Sequence, residues 1–342
     1  MSLPNLISYN ELQSLQNRCD FNYFEGKNIL VTGGAGMLGS WLASAILLCS
    51  TDSRKLRPRI DVVSRRSNPV NLAQVSELSN FRYLKGNVIE SKWNEYDLII
   101  HAASIASPTK YIAANQILET NVKPIRQLIE ASPKLDQFMF ISSGEVYGSK
   151  TPLKVEENFS GSFNHSLTRT VYPRAKIEAE ESLMSHAAHN SFSPAIARLF
   201  HTFGPGVARD DGRSFADFIW SGAKGIPPEL RSSGKQIRSF LYLEDAVAGI
   251  LKIITSRTES PINVGSDEAI SVREMADKVS HVAGLESPSQ STQFVPNYEQ
   301  SPNDLSVPSN SALRQLGWTQ EVLLEEGILR TLQWCRAVLA CS

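Results

Sequence analysis

Apolar and polar positions along this chain fall into blocks of two kinds. Short runs dominated by apolar residues recur at Asn28–Val31, Arg59–Val63, Phe81–Leu84, Leu98–His101 and Gln137–Ser142. Runs this short, without a clear polar face, predict strands buried on both sides. Between them lie longer stretches with helical spacing, Met37–Leu48 and Asn115–Glu130, the second carrying Pro124, which predicts a late start or a kink. Strand and helix patterns in alternation predict an α/β fold, a doubly wound parallel sheet covered by helices on both faces.

After about residue 200 the texture changes. Pro205, Pro227, Pro228, Pro261, Pro288, Pro296, Pro302 and Pro308 break the pattern into short segments, which predicts a smaller, loop-rich C-terminal lobe. Glu286–Ser311 is rich in Ser, Pro and Asn and reads as loop. A final helix is expected over about Glu321–Leu339, where Leu324, Ile328, Leu332 and Val338 recur near helical spacing. The expected division is an N-terminal extension over 1–26 with one helix; a nucleotide-binding domain over 27–200, to which 238–265 partly returns; and mainly a substrate lobe over 201–342.

Composition narrows the function. Of the 342 residues 42% are hydrophobic and 20% charged, with a net charge of −1. A globular protein is expected, with no bulk field to attract nucleic acid or an anionic membrane. Cys19, Cys49, Cys335 and Cys341 form no C-x-x-C pair and no zinc spacing, so no metal site is expected and the thiols suit a reducing cytoplasm. Met1–Asp20 lacks the charged and apolar regions of a secretory signal, and the longest apolar stretch, Trp41–Cys49, is too short to span a bilayer.

Thr32-Gly33-Gly34-Ala35-Gly36-Met37-Leu38-Gly39 follows the first expected strand and opens a helix. A phosphate needs close backbone approach, free N–H groups and the positive end of a helix, and glycines remove the Cβ that would block it. The G-x-x-G-x-x-G spacing of Gly33, Gly36 and Gly39 alone also fits a plain strand–helix turn. The strand–turn–helix context points to dinucleotide binding on a Rossmann-type sheet. The second strand ends in Asp61-Val62-Val63-Ser64-Arg65-Arg66. An NAD site offers a carboxylate there, and Asp61 lies too early in the strand to serve. Ser64, Arg65 and Arg66 suit a 2′-phosphate, favouring NADP over NAD; a solvated basic turn is the alternative.

Tyr172 and Lys176 are four residues apart at the start of an expected helix, hence on one face. A phenol ordinarily titrates near pH 10, and a neighbouring ammonium favours its phenolate, so the tyrosine suits a base. Ser143, at the end of the fifth strand, is placed to hold the same hydroxyl.

The glycine turn, His101-Ala102-Ala103-Ser104, Ser142-Ser143-Gly144-Glu145-Val146-Tyr147-Gly148 and Tyr172/Lys176 together resemble the extended short-chain dehydrogenase/reductase family that modifies nucleotide sugars. The likeness continues through Arg198-Leu199-Phe200-His201-Thr202-Phe203-Gly204-Pro205, Arg238-Ser239-Phe240, Asp245, Leu316-Gly317-Trp318 and Leu324-Glu325-Glu326-Gly327-Ile328, covering nearly all of the chain after residue 27. It implies cofactor contacts from Gly33, Gly36, Met37, Leu38, Gly39, Asn87, Val88, Ala102, Ala103, Ser104 and Asn121, besides Tyr172 and Lys176. It implies a nucleoside-diphosphate sugar met by Ser104, Arg169, His201, Arg213 and Arg238, and a homodimer pairing through helices near Asn115–Glu130 and Ile177–Ala188.

The implied reaction begins with oxidation at sugar C4, Tyr172 taking the hydroxyl proton. Glu145 resembles the carboxylate of 4,6-dehydratases and of UDP-glucuronate decarboxylases, where epimerases commonly lack one; pairing with a nearby arginine is its bland alternative. Arg169, Asp210-Asp211-Gly212-Arg213 and Gly234-Lys235-Gln236-Ile237-Arg238 resemble the decarboxylase branch. Each arginine is a forked donor suited to a diphosphate or carboxylate, or merely a rim salt bridge. Gly144 departs from the aspartate acid of dTDP-glucose 4,6-dehydratases and from the serine that decarboxylases often carry there, which speaks against a hexose dehydration needing a separate acid unless Glu145 does both jobs; His201 departs from the usual asparagine, and Asn87 from the usual aspartate. The expected activity is a decarboxylase or 4,6-dehydratase. The alternatives are an NADP-dependent 4-epimerase or keto-sugar reductase, and a non-catalytic nucleotide-binding protein.

Overall fold

A computed structural model of the chain describes residues 4–50, 56–65, 70–88, 94–104, 114–149, 151–163, 170–290 and 304–341. The strands are β1 (Asn28–Thr32), β2 (Arg59–Ser64), β3 (Phe81–Lys85), β4 (Leu98–His101), β5 (Gln137–Ser143), β6 (Ser193–Leu199), β7 (His201–Phe203), β8 (Glu229–Leu230), β9 (Ile237–Tyr242), β10 (Ile262–Val264), β11 (Ala269–Ser271), β12 (Ser289–Gln290) and β13 (Leu305–Ser306). The helices are α1 (Tyr9–Arg18), α2 (Met37–Cys49), α3 (Ala114–Asn121), α4 (Lys123–Ala131), α5 (Val171–Ala187), α6 (Ser214–Ala223), α7 (Leu243–Ser256), α8 (Val272–Ala283), α9 (Ser311–Gln315) and α10 (Leu324–Ala340).

Seven strands form one sheet in the order β10-β6-β5-β4-β1-β2-β3, every neighbouring pair parallel. Both faces are covered, which explains the apolar runs. In β1, Ile29 and Val31 enter the core packed by α2 and α7, while Leu30 enters the opposite core with Ile125, Leu128 and Leu183 of α4 and α5. In β5, Met139 and Ile141 join the first core, Phe138 and Phe140 the second. The chain leaves β1 toward β2 on one side and comes back to β4 on the other, so a crevice opens between the carboxyl ends of β1 and β4, where ligands of such sheets bind.

The expected helix over 115–130 is two helices. The backbone breaks between Asn121 and Lys123, and Pro124 occupies the first turn of α4, where a missing N–H costs nothing. The expected loop-rich lobe holds α6, α8 and α10 around Phe203, Phe215, Trp220, Phe240, Met275 and Ile328, with β7, β9, β11 and β13 as a second sheet. Its prolines punctuate short elements rather than replace them. β10 and α7 return to the main sheet and its core. Of the expected loop over 286–311, β12 and β13 occupy the two ends, and 291–303 lie outside the described residues.

The N-terminal segment contains one helix, as expected, but it is part of the core. Leu6, Ile7, Leu15 and Phe24 are buried with the α2 and α7 side chains. Ser8 and Glu11 form a reciprocal capping box that starts α1. Arg18 then donates to Asp245 at 2.7 Å, and Ser14 to Glu244 at 2.5 Å. Asp245 also accepts the Val322 N–H at 2.9 Å, and Arg330 of α10 reaches Glu244 at 3.0 Å. These buried carboxylates tie α1, α7 and the entry to α10 into one unit.

Candidate active site

The turn after β1 is built for close approach. Gly33 has φ +67°, and a Cβ there would lie 2.7 Å from the Ala103 backbone at the end of β4. A Cβ on Gly39 would lie 2.7 Å from Gly33 O, so the first turn of α2 sits directly on the glycine turn. Gly36 caps α2 without contributing a side chain, leaving the helix end open to an anionic group. This cradle fits a dinucleotide pyrophosphate.

From it runs a cavity of about 750 Å³. Gly33, Gly36, Met37, Leu38 and Gly39 line one end; Ser64, Arg65, Asn87 and Val88 line a side branch; Ala102, Ala103, Ser104, Ser143, Glu145, Tyr172 and Lys176 meet in the middle; His201 and Arg213 stand beyond. Residues spread over 180 positions of sequence are thus brought to one crevice by the ends of β1, β2, β4, β5 and β6. Arg66 and Arg169 lie outside the described residues.

Two predicted residues are set back from the cavity wall. Asn121 is buried, donating to Ile117 O at 2.8 Å and accepting from the Ser104 hydroxyl at 3.1 Å; it supports Ser104, while its neighbour Thr120 faces the cavity. Arg238 is 5% exposed and donates to Ile237 O at 2.8 Å. Its charge is felt by His201 without reaching the wall.

The side branch offers no available carboxylate from β2. Arg82 clamps Asp61 with two donors, and the Tyr96 hydroxyl donates to it at 2.7 Å. Ser64 and Arg65 are the β2 groups on the wall.

At the centre, Tyr172 is hydrogen-bonded to Ser143 and Ser104. Burial pushes its phenol up to about 12, with Glu145 adding to the rise and Arg213 opposing it. Lys176 is pushed down to about 7 by burial, and Glu180 opposes that. Its ammonium donates to Ile141 O at 2.8 Å. In the protein by itself the tyrosine is therefore held protonated, and its base form depends on positive charge brought beside it. Glu145 sits in a short 3-10 turn, Gly144–Tyr147, whose first N–H groups are capped by Ser143: the Glu145 N–H donates to the Ser143 hydroxyl at 3.2 Å.

Gly144 has a cause that only the fold reveals. A Cβ at this position would lie 2.7–2.8 Å from three ring carbons of Phe200. The ring is stacked on Tyr147, with centroids 6.3 Å apart. The space that an acidic side chain at 144 needs is occupied.

His201 is held neutral by burial and by the charges of Arg238 and Arg213, and its Nδ1 has no hydrogen-bond partner among the described residues. Arg213 is paired with Asp211 at 2.6 Å and keeps 31% of its side chain exposed at the cavity. Asp211, within the segment singled out together with Arg213, is a wall residue, and sequence reasoning missed Phe200 and Ser306. Ser306 arrives on β13 from more than a hundred residues away and carries no local signal. Among the described residues there is no His, Cys, Asp and Glu group that could hold a metal, and no helix is long and apolar enough to cross a membrane.

Comparison with known proteins gives the family. Residues 29–265 match the model of the NAD dependent epimerase/dehydratase family. UDP-glucuronic acid decarboxylase 1 of Danio rerio is 29% identical over 311 residues, 90% of this chain and 72% of that protein. UDP-glucuronic acid decarboxylase 1 of Arabidopsis thaliana is 30% identical over 309 residues, 88% of this chain and 68% of that protein. Among solved structures, the fold is shared with UDP-N-acetylglucosamine 4-epimerase from Methanobrevibacter ruminantium, in complex with UDP-N-acetylmuramic acid, at a TM-score of 0.80, 19% identity, and coverage of 93% of this chain and 100% of that one. UDP-glucuronic acid 4-epimerase from Bacillus cereus, in complex with UDP-glucuronic acid and NAD, has a TM-score of 0.78, 21% identity, and coverage of 91% and 99%. With a glycine cradle on β1, a Ser143–Tyr172–Lys176 centre and a match over most of its length, the chain belongs to the NAD dependent epimerase/dehydratase family, the extended short-chain dehydrogenase/reductases that act on nucleotide sugars.

Proposed function

We propose that the protein decarboxylates UDP-glucuronate through transient oxidation at sugar C4. The observation that carries this reading is the pairing of Glu145 with a blocked position 144: the centre has a base and one adjacent carboxylate, and Phe200 fills the room for a second acid. Hexose 4,6-dehydration calls for an acid to protonate the departing C6 hydroxyl. Loss of carbon dioxide needs no such group. Relatives that span most of the chain are named UDP-glucuronic acid decarboxylases, which supports the same choice.

Tyr172 takes the proton of the C4 hydroxyl, with Ser143 and Ser104 holding the phenol in place. The Gly33–Gly39 cradle and Lys176 would hold a nicotinamide dinucleotide, which would supply a reversible acceptor for the C4 hydride. With C4 a ketone, the C6 carboxylate is that of a β-keto acid. The C5–C6 bond breaks, its electron pair passes toward the C4 oxygen, and carbon dioxide leaves. Ser143 and Tyr172 stabilise the charge on that oxygen. Glu145, loaded with a proton from solvent in each turnover, delivers it to C5, and Tyr172 returns its proton to the C4 oxygen. Arg213 faces both Tyr172 and Glu145 and attracts the anionic end of the substrate.

The same reading takes NADP as the preferred dinucleotide. Ser64 and Arg65 suit a 2′-phosphate, and Asp61 is occupied by Arg82 and Tyr96. It takes residues 27–200, with 238–265, as the cofactor lobe and the rest from 201 as the substrate lobe. It takes the chain as a cytoplasmic homodimer pairing through α3–α4 and α5.

Incubation with UDP-glucuronate, read by mass, is expected to show loss of carbon dioxide without net change in the reduced cofactor. Loss of water from a nucleoside-diphosphate hexose, or an isomer of unchanged mass, would replace this reading by a dehydratase or a 4-epimerase.

A further inference from the structure

Tyr172, Lys176 and Glu180 follow one another at four-residue intervals along α5, so their side chains share one helical face. The first two serve the cavity. Glu180 lies one turn behind it, 7% exposed.

The surroundings of Lys176 do little for a charge. The residue is 2% exposed. Its ammonium has the Ile141 carbonyl at 2.8 Å and lies 4.6 Å from the centre of the Phe140 ring. His101 of β4 acts on it as a neutral ring, pushed down to about 3 by burial and by Lys176 itself. The Tyr172 ring centre is 5.8 Å away, and Glu145 and Arg213 act on that tyrosine. The carboxylate that opposes loss of the Lys176 proton is that of Glu180.

Glu180 is held with unusual firmness. Arg198 of β6 donates through Nη2 to Oε2 at 2.7 Å and through Nε to both oxygens at 3.2 Å. The Ser142 hydroxyl donates to Oε1. Arg198 is fixed in turn, donating to the Tyr147 hydroxyl at 3.0 Å and to Glu157 O at 2.9 Å. The Tyr147 hydroxyl donates in turn to Asn263 Oδ1 at 2.7 Å. The ion pair is thus fixed, its negative end on α5 one turn along from Lys176 and its positive end on β6. A buried pair of this kind adds little to stability beyond what apolar packing would give. What it does supply is a fixed negative charge one helical turn from an ammonium that is otherwise poorly solvated.

We propose that Glu180 is a positioning residue of the site: locked by Arg198 and Ser142, its carboxylate keeps Lys176 an ammonium and so sustains Tyr172 as the base. The second half rests on the base assignment made above; the first half concerns the protein alone, without substrate.

The test is the titration of Lys176 followed by NMR in protein carrying carbon-labelled lysine, the resonance being assigned by its loss in Lys176→Met. Glu180→Gln is expected to lower the midpoint by about one pH unit or more, the scale on which an adjacent opposite charge acts. Glu180→Asp keeps a carboxylate for Arg198 but withdraws it by one methylene. Its midpoint is expected between the other two, and it carries the test where Glu180→Gln does not fold. In the pH profile of sugar oxidation, both variants are expected to lose rate on the alkaline side at lower pH than the parent, because the ammonium is lost earlier. An unchanged Lys176 midpoint in a folded variant, whatever its thermal stability, overturns the proposal and leaves Glu180–Arg198 as a structural pair. A lowered midpoint with an unaltered pH profile overturns the second half, and the base assignment with it.

Discussion

Gly144→Ala probes the contact on which the choice of reaction rests. The added methyl carbon would meet Phe200 Cε1, Cζ and Cε2 at 2.7–2.8 Å. Carbon atoms settle at about 3.5–4.0 Å, so the shortfall is roughly 1 Å against three atoms at once. The ring is packed against its neighbours. Tyr147 stacks on it at an interplanar angle of 29°, and a Cβ on Gly265 would already lie 3.0 Å from Phe200 Cβ. Overpacking of this kind costs about 1–3 kcal/mol, and the ring relieves it by moving into the cavity that it lines. A double-mutant cycle isolates the contact. Gly144→Ala, Phe200→Ala and the double variant are compared by urea unfolding, and sugar turnover is measured on each. Phe200→Ala alone is expected to destabilise through the space it leaves, but with the ring gone the methyl group should cost little. The coupling energy is expected at about 1–3 kcal/mol in favour of the double variant. If Gly144→Ala costs as much without the ring as with it, the ring is not the obstacle, and the argument against an acid at position 144 falls.

Tyr172→Phe is expected to lower sugar oxidation about 10²- to 10⁴-fold, the usual span for loss of a general base, while calorimetry shows dinucleotide binding retained; oxidation at the parent rate would remove Tyr172 from the mechanism. Arg65→Ala is expected to weaken NADP about tenfold or more and NAD little, since a charge-assisted bond is worth about 1.5–3 kcal/mol; equal loss for both would assign Arg65 to the solvated turn. Arg18→Met strands Asp245, which is fully buried, so a loss of about 3–5 kcal/mol is expected; a thermal unfolding temperature within a degree or so of the parent's would show α1 to be dispensable. His101 is held near 3 by burial, below its ordinary value near 6.5. The unfolded chain takes up a proton there that the fold refuses, so stability is lost as pH falls below about 6.5. His101→Asn is expected to flatten the slope of stability against pH between these values by one proton, about 1.4 kcal/mol per pH unit; an unchanged slope would mean that His101 is protonated in the fold.

Period and spacing made the nucleotide-binding half legible. The β1 run and the glycines after it were readable because a phosphate cradle is built from consecutive residues, and the bounds of β4 follow from the sequence pattern without adjustment. Tyr172 and Lys176 were readable because four residues make one helical turn. The same spacing carries on to Glu180, a signal present in the sequence but without meaning until Arg198 is seen clamping it from β6. The C-terminal lobe was harder, since its helices are short and its prolines mask their period. Sequence alone determined the strands of the sheet, the glycine turn and the shared helical face of Tyr172 and Lys176, each of which rests on neighbours in the chain. The tertiary structure decided that α1 belongs to the core, that Asp61 is taken by Arg82 and Tyr96, that Asn121 and Arg238 stand behind the cavity wall, and that Phe200 fills the space at Gly144. Each of these depends on side chains far apart in sequence competing for one volume or one charge, and no local pattern records which of them arrives.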